Sequence, residues 1–395
     1  MRRFLLPLMG IQFLWASQTS LDEILRHAKI PKLLNEKIIQ EAQAHQSQTL
    51  ADTQASPLTL NHALAYNDGV DDSGVEHAIG LSKEFILGNI QSLEQRQQRL
   101  KSEANLLEQQ KELISLENQL KNLYHQHCLD DAYLENFQER YNTFGSLYTK
   151  KEIAYAQGEI AKTELLQLQL EQNRLKIELE NLKDKEQSSR EQLLSLTSMA
   201  QSNRLSCQDT YPINANISIT QQAFSLSQEA YKKRIESTQA GLQRHAHKIE
   251  SVEVSLDYSK ELVNDIYTIG VSVPLNFSSQ KSNYAKAALM HQSSAIALEQ
   301  TQALTQKAYQ LNRLMNRLQR DVKTIHAQEE NIQNYTNNLL PLMKKSYDYG
   351  ESSVIEYLLS QEKLYTLQQT LLEQKKDYYQ TLFELYSISE IKDKS

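Results

Sequence analysis

Leucine and aromatic residues recur at seven-residue intervals along most of the chain. From Leu106 the step passes through Leu113 and Leu120, and a companion row runs through Phe137 and Phe144. A seven-residue apolar period is typical of helices that pack as coiled coils. The pattern therefore predicts a long amphipathic helix through this region.

Later parts of the chain repeat this pattern and predict partner helices. The step resumes at Leu168 after Gly158, and a second array runs from Leu304 to Leu339 before resuming after Gly350. Because glycine tolerates backbone conformations that other residues avoid, each glycine suits a tight reversal between antiparallel helices. Each half of the chain is thus predicted to contain one long helical hairpin.

The two predicted reversals carry nearly the same sequence. Six residues of the first recur 192 positions later: Tyr155, Gly158, Glu159, Glu164, Leu166 and Gln169 match Tyr347, Gly350, Glu351, Glu356, Leu358 and Gln361. The sequence IGLS at residues 79–82 also returns as IGVS at residues 269–272, an offset of 190. Two offsets that agree so closely indicate two copies of one unit.

Each copy also contains a pair of short segments in which apolar and polar residues alternate. In the first copy they lie at about residues 58–84, around a turn at Asn67–Gly69, and in the second at about residues 251–274. Strict alternation is typical of strands with one apolar face. His62 and His77 interrupt the apolar face of the first pair. We therefore predict two β-hairpins, of which the first has the weaker pattern.

These strands would carry any contact with the interior of a membrane. Beyond the N-terminus, no apolar run approaches the roughly 20 residues that a membrane helix needs. Tilted strands of about 9 to 11 residues are long enough to cross a bilayer. Four strands are too few to close a barrel, so several subunits would have to contribute their strand pairs.

The composition favours long helices and argues against a nucleic-acid partner. The 395 residues include only 10 glycines and 6 prolines, and no proline occurs between Pro57 and Pro212. Because proline in a helix interior costs about 3 kcal/mol, its absence permits helices of unusual length. The net charge of −7 is unfavourable for binding nucleic acid.

The N-terminus has the pattern of a secretory signal peptide. Arg2 and Arg3 precede an apolar run from Phe4 to Trp15, and Ala16 provides a small residue for cleavage. The alternative, a membrane anchor, would need a longer run. We predict a signal peptide at residues 1–16. An oxidising compartment would then permit a disulfide between Cys128 and Cys207, although the sequence leaves their separation open.

Potential metal ligands cluster around Cys128. His125, His127, Asp130 and Asp131 lie within a few residues of it, and imidazole, thiolate and carboxylate suit zinc or copper. Their spacing matches no established ligand pattern, and His127 and Asp130 fall on the two heptad rows. A polar layer within the helical bundle is therefore the favoured interpretation.

Two other kinds of chemistry find little support. Residues 67–74, NDGVDDSG, resemble a calcium loop in composition but lack the distal glutamate of that motif, so a surface turn is favoured. No segment brings together a nucleophile, a base and a cofactor loop. We therefore expect neither a catalytic site nor a cofactor.

Taken in order, these features resemble the TolC-like outer-membrane efflux family over nearly the whole mature chain. The segment Leu21–Leu25, continuing to Leu33, is similar to the family's N-terminal helix. The family's tip motif is an aromatic residue, two further residues, a glycine and a polar residue before a leucine-rich helix. It occurs at Tyr155–Leu166 and again at Tyr347–Leu358.

The resemblance implies a mainly α fold with a small β part, built from two tandem repeats of a strand pair and a long coiled-coil helical hairpin. Residues 17–210 would form the first repeat, with its hairpin at about 85–198. Residues 211–395 would form the second, with its hairpin at about 280–388. In this family three chains form a 12-stranded β-barrel in the outer membrane and a helical tunnel through the periplasm.

The resemblance also implies partners and a function. A homotrimer in the outer membrane of a Gram-negative cell would meet a periplasmic adaptor protein and an inner-membrane transporter, with outer-membrane lipid around the barrel. The chain would be a passive exit duct in a tripartite efflux or type I secretion system. Gly158, Glu159, Gly350 and Glu351 would lie at the tips that contact the adaptor.

Acidic residues at the second tip have two interpretations. Repeated by threefold symmetry, Asp348 and Glu351 would form a ring that favours cations at a constricted entrance. Alternatively, these charges are simply solvated beside a turn, as is usual for charged side chains.

Two rival classes of protein explain less of the sequence. A secreted coiled-coil structural protein would account for the heptads but not for two amphipathic strand pairs at equivalent positions. A periplasmic adaptor would have one hairpin flanked by compact β domains. Neither class predicts the internal duplication.

Overall fold

The computed structural model describes residues 19–52, 56–68, 73–200, 203–214, 217, 223–247, 249–274 and 280–391. The predicted signal peptide at residues 1–16 and residues 69–72 of the first strand turn lie outside these ranges. The helices are α1 (Leu21–Arg26), α2 (Lys29–Asp52), α3 (Ile90–Ala156), α4 (Lys162–Ser195), α5 (Ser225–Arg244), α6 (Lys281–Asn334), α7 (Leu340–Asp348) and α8 (Val354–Ser389). The strands are β1 (Thr59–Asp68), β2 (Ser73–Ile86), β3 (Ser251–Lys260) and β4 (Asp265–Ser272).

The fold is mainly helical with a small antiparallel sheet, as the sequence predicts. The strands follow the order β1-β2-β3-β4, and each neighbouring pair is antiparallel. Among the described residues, no helix has both the length and the hydropathy to span a membrane.

Strand β2 is longer than the alternation of its sequence indicates. The sequence predicts a helix from near Phe85, whereas Phe85 and Ile86 still pair with Val252 and Ser251 of β3. This pairing keeps the backbone extended, since β3 satisfies its hydrogen-bonding groups. Helix α3 therefore begins only at Ile90.

Proline interrupts the second long helix without ending it. Helix α6 is followed by a π-helical turn at Tyr335–Leu339, and α7 continues from there with Pro341 in its first turn. Proline has no N–H, and its ring clashes with the carbonyl one turn earlier. Widening the preceding turn relieves that clash and lets the chain continue to Asp348.

The chain divides into two compact units, and α3 and α6 each contribute residues to both of them. The first comprises the chain up to Leu33, Leu113–Ala223 and Tyr309–Ser395, and the second comprises Leu34–Glu112 and Phe224–Ala308. In the first unit, the heptad rows predicted in α3 and α4 supply part of a buried core, with the members Phe137, Phe144, Leu168, Leu175, Leu179 and Leu182. Tyr365 and Leu372 of α8 complete it, and each lies one residue after a position of the predicted row, Leu364 and Leu371, which are only partly buried.

A segment between the two repeats, residues 203–214, is bonded covalently to α3. Cys128 and Cys207 form a disulfide, with their Cα atoms 5.4 Å apart. Nearby, the Tyr124 hydroxyl donates to the carbonyl of Ser206. The disulfide that the sequence only permits is therefore present, and hydrogen bonding to the same helix supports it.

His125 attaches this segment to α3 through both of its ring nitrogens. Its Nδ1–H donates to the carbonyl of Lys121 at 2.7 Å, and its Nε2 accepts from the backbone N–H of Tyr211 at 2.9 Å. The ring also packs against Tyr379 and Phe383 of α8. The pKa of His125 is lowered from 6.5 to about 4, mainly by burial; the charge of Lys121 also lowers it, and the hydrogen bond to the Lys121 carbonyl opposes the shift.

Removing the disulfide is expected to destabilise the protein strongly. The bond closes a loop over a sequence separation of 79 residues, for which loop-closure entropy gives about 4.5 kcal/mol. We expect Cys128→Ser and the double variant with Cys207→Ser to unfold at a lower denaturant concentration, by a similar amount. Chemical denaturation of the unreduced proteins measures this. Wild-type stability in both variants would mean that the bond contributes little.

Acid should weaken the fold through His125. Its folded-state pKa lies below its unfolded value, so the unfolded chain binds more protons. Its contribution is therefore present above pH 6.5 and is lost as the pH falls toward 4, by about 2 kcal/mol at pH 5. We expect His125→Gln to be less stable at pH 7 but to lose less stability between pH 7 and 5. His326→Gln, at an exposed histidine, should keep the wild-type slope of unfolding free energy against pH.

Candidate functional site

The first predicted tip is a helix reversal closed by a glycine. Gly158 has a φ of +78°. Its N–H donates to the carbonyl of Tyr155 at 2.9 Å, and the N–H of Glu159 donates to that of Ala154 at 2.8 Å. These two bonds define a Schellman motif, in which the positive φ strongly favours glycine. The residue types of the sequence motif thus correspond to a specific turn.

The second tip repeats this hydrogen-bonding pattern. Gly350 has a φ of +74°. Its N–H donates to the carbonyl of Tyr347 at 3.0 Å, and the N–H of Glu351 donates to that of Ser346 at 2.9 Å. The internal duplication is therefore preserved in backbone geometry at these two places.

Every residue predicted for the tips is exposed. Gly158 and Glu159 lie at the first reversal, and Asp348, Gly350 and Glu351 lie at the second. Within the described part of the chain, the carboxylates of Glu159, Asp348 and Glu351 form no hydrogen bond or ion pair. These five residues therefore lie at the two tips, and the three carboxylates among them are exposed to solvent.

The helices that leave the two tips begin differently. Ser353 caps α8: its hydroxyl accepts from the N–H of Glu356 at 3.3 Å, and the Glu356 carboxylate accepts from the N–H of Ser353 at 2.8 Å. The equivalent residue in the first copy is Ala161, which has no side-chain hydrogen bond to offer. The reciprocal cap is thus limited to the second tip.

The missing cap leaves Glu164 available for other contacts. Its carboxylate lies 3.2 Å from the Nζ of Lys151 and 3.5 Å from the hydroxyl of Tyr347. The sequence itself shows why only one tip is capped: Ala161 stands in the first copy where Ser353 stands in the second. The pattern of shared residues alone does not reveal it.

Lys151, Glu164 and Tyr347 join the ends of the two helical hairpins. Lys151 lies 4.9 Å from the ring centroid of Tyr347, which stacks on Tyr357 with centroids 5.1 Å apart. Burial alone would lower the pKa of Lys151, but Tyr347 and Glu164 raise it above its usual value. The lysine therefore stays charged and holds both partners.

The candidate metal cluster forms a polar layer instead of a set of converging ligands. Buried Asp130 accepts from the Nζ of Lys376 at 2.6 Å, and His127 donates through Nδ1 to the hydroxyl of Ser189 at 3.0 Å. Burial lowers the pKa of His127. Since Cys128 is bonded to Cys207, its sulfur is not available as a thiolate. Among the described residues, no three such side chains are grouped to hold an ion.

One face of the four-stranded sheet is apolar and exposed. Cross-strand pairs on this face include Leu60 with Leu81 and Leu256 with Ile269. Leu60 is 67% exposed and Ile269 is 76% exposed. His62 also lies on this face, as the alternation predicts. An apolar surface of this extent indicates contact with lipid or with another protein.

The opposite face of the sheet is polar and includes the repeated glycines. Gly80 pairs with Asp257 and Gly270 pairs with Ser255. A Cβ atom at residue 80 would lie 2.0 Å from the Asp257 carboxylate, and one at residue 270 would lie 2.5 Å from the Ser255 hydroxyl. Gly80 and Gly270, the glycines of the repeated sequences IGLS and IGVS, therefore lie where a side chain of β3 occupies the space beside a neighbouring strand.

The tip glycines should be less tolerant of substitution than a glycine within a helix. Gly350→Ala forces a Cβ into the left-handed region, which costs about 1 to 2 kcal/mol. Gly145→Ala is the matched control, because it lies within α3 and its Cβ would meet no neighbour within 4 Å. We expect it to stabilise the helix by up to about 1 kcal/mol. Thermal unfolding compares the two, and equal effects would contradict the assigned turn.

Comparison with known proteins gives structural matches. No protein-family model and no curated protein sequence matches the chain. The structure is similar to CusC, known from crystal structures concerned with folding and transmembrane channel formation. The TM-score is 0.75 and the identity 15%, over 93% of this chain and 90% of that one.

Two further matches are outer-membrane proteins of named bacteria. The outer membrane protein VceC of Vibrio cholerae has a TM-score of 0.70 at 13% identity, over 93% of this chain and 95% of that one. The outer membrane channel CmeC of Campylobacter jejuni has a TM-score of 0.72 at 13% identity, over 94% and 87%. The chain therefore has the fold of bacterial outer-membrane channels along nearly its whole length.

Proposed function

We propose that this protein is the outer-membrane channel of a tripartite efflux or type I secretion system in a Gram-negative cell. It would be a passive exit duct for substrates delivered by an inner-membrane pump. The observation that carries this proposal is the similarity of fold to outer-membrane channels over at least 93% of this chain and 90% of CusC. The internal duplication and the two equivalent tips are consistent with it.

The sheet supplies the argument for a trimer. Strands β1 and β4 are at the edges of the sheet and leave a row of backbone groups unpaired on one side. Lipid does not tolerate such edges, so a sheet in a membrane must close. Three chains would contribute twelve strands to one barrel. The apolar face would then meet lipid and the polar face would line the lumen.

The tips supply the argument for partner proteins. Gly158, Glu159, Gly350 and Glu351 are exposed at two reversals whose backbones have the same geometry. A periplasmic adaptor that contacts both tips would meet two similar surfaces on each chain. With threefold symmetry, Asp348 and Glu351 would also place six carboxylates near the tunnel entrance and favour the passage of cations.

The main alternative is a periplasmic coiled-coil adaptor or structural protein without a channel. It accounts for the heptad packing of the first unit. It gives no role to the exposed apolar face of the sheet, which would need another cover in water. The channel explains both features, so we favour it.

Membrane fractionation and the mass of the extracted protein test this proposal. We expect the protein in the outer-membrane fraction and, by light scattering in detergent, the mass of a trimer whose migration in gels changes on heating. A soluble monomer or dimer would contradict the channel and favour the alternative.

A lysine on either face of β4 should distinguish lipid from lumen. Ile269→Lys places a charge on the apolar face, where a position near the middle of the bilayer costs about 2 to 4 kcal/mol. Thr268→Lys is the matched control on the polar face of the same strand. We expect Ile269→Lys to lower the yield of trimer in the outer membrane and the temperature at which it dissociates. Thr268→Lys should retain both.

Two other results would contradict the proposed orientation of the sheet. If both lysines are tolerated alike, the apolar face of β4 does not contact lipid. If only Thr268→Lys disrupts the trimer, the orientation of the sheet is opposite to the one proposed.

A further inference from the structure

A polar groove of about 500 Å³ lies between α2 and α3, in the same compact unit as the sheet. Its lining consists of hydroxyl, amide and guanidinium side chains together with one alanine: Ala42, Gln46, Thr49, Ser92, Gln95, Arg96, Gln98, Arg99 and Ser102. On α3 the lining residues follow one stripe, at the three- and four-residue spacing of a helix face. They therefore face the groove together.

The charge of this groove is positive. Arg96 and Arg99 are the charged residues among its lining, and no carboxylate belongs to it. In the described chain, Arg96 has no hydrogen bond or ion pair within the structure. Arg99 lies 3.6 Å from Glu103, whose carboxylate is closer to Lys233, at 2.8 Å. Two guanidinium groups are thus available to an anion.

The helices that form the groove are held in place by neighbouring contacts. Gln109 of α3 donates to Glu41 of α2 at 2.5 Å. On the α5 side, Arg244 pairs with Glu94 at 2.9 Å. These contacts fix α3 beside both neighbours. The arginines of the groove are therefore presented by a rigid helix instead of a loop.

The position of the groove relates it to the sheet. Helix α3 begins at Ile90, shortly after β2 ends at Ile86, so Ser92 to Ser102 lie within about 18 Å of the helix start. Helical Cα–Cβ bonds tilt toward the N-terminus, so the side chain of Arg96 leaves the backbone in the direction of the end of α3 that follows β2.

The end of β2 that leads to α3 has the character of a membrane interface. Phe85 is 48% exposed, and the Nζ of Lys83 lies 5.6 Å from its ring centroid. An aromatic ring with a neighbouring cation is typical of the level at which lipid headgroups begin. Only a few residues of the chain separate Phe85 from Ser92, the first α3 residue that lines the groove.

We infer that the groove between α2 and α3 binds a phosphate group through Arg96 and Arg99. Guanidinium matches phosphate oxygens with paired hydrogen bonds, and the amides of Gln46 and Gln98 and the hydroxyl of Ser102 provide further donors in the lining. The phosphodiester of an anionic phospholipid has the required charge, and its acyl chains would lie toward the apolar face of the sheet. A free phosphate anion shares the same chemistry. This inference rests on the proposed membrane location.

Native mass spectrometry of the delipidated full-length protein in detergent tests the site. The probes are dioleoylphosphatidylglycerol, dioleoylglycerol, which lacks the phosphate, and inorganic phosphate. We expect saturable binding of the phosphatidylglycerol that weakens about tenfold in Arg96→Gln and in Arg99→Gln, as for the loss of a charge-assisted hydrogen bond. Lys101→Gln is the matched control, since it removes a positive charge from an exposed position on α3 outside the groove lining.

Each result of this experiment either supports or contradicts the phosphate site. Arginine-dependent binding of phosphatidylglycerol but not of dioleoylglycerol supports a lipid-phosphate site, and arginine-dependent binding of inorganic phosphate alone supports a free-anion site. Equal binding of both lipids, or no effect of either arginine variant, overturns the inference. The same spectra report the oligomer: a trimer without phosphate binding contradicts only this site, whereas a monomer contradicts the proposed channel.

Discussion

The burial of heptad side chains between α3, α4 and α8 is the interaction on which the first unit depends. Residues such as Phe137, Leu168, Leu175 and Leu372 lose almost all their solvent exposure there. Each such side chain contributes about 1.5 to 3 kcal/mol when it leaves water. No short-range hydrogen bond at the tips has comparable strength. The packed helices therefore supply most of the stability of this unit, and the tip glycines supply the turns that connect them.

The duplication shows which parts of a repeat are constrained by geometry and which can diverge. Both tips keep the glycine and the same pair of backbone hydrogen bonds, since a helix that must reverse leaves carbonyl groups to satisfy. The helix caps have diverged. Ser353 holds Glu356 at one tip, whereas Ala161 leaves Glu164 to pair with Lys151 at the other. The contact between hairpins thus forms at the tip that has no reciprocal cap.

The segment between the repeats is secured by several kinds of bond at one place on α3. The disulfide of Cys207, the hydrogen bond from Tyr211 to His125 and the ring contacts of His125 all fall within a few residues of Cys128. Because His125 must remain neutral to accept the Tyr211 N–H, this attachment depends on pH as well as on oxidation. A histidine and a cysteine that resemble metal ligands in the sequence are therefore structural residues.

The helical hairpins, the strand pairs, the sites of reversal and the duplication can all be predicted from the sequence. Each depends on local spacing or on glycine chemistry, which a single chain displays directly. In contrast, the bond between Cys128 and Cys207, the ion pair of Asp130 with Lys376 and the extension of β2 to Ile86 become visible in the folded chain. Those outcomes depend on which distant segments come together. Packing of entire helices and pairing of neighbouring strands, not residue spacing, set these distances.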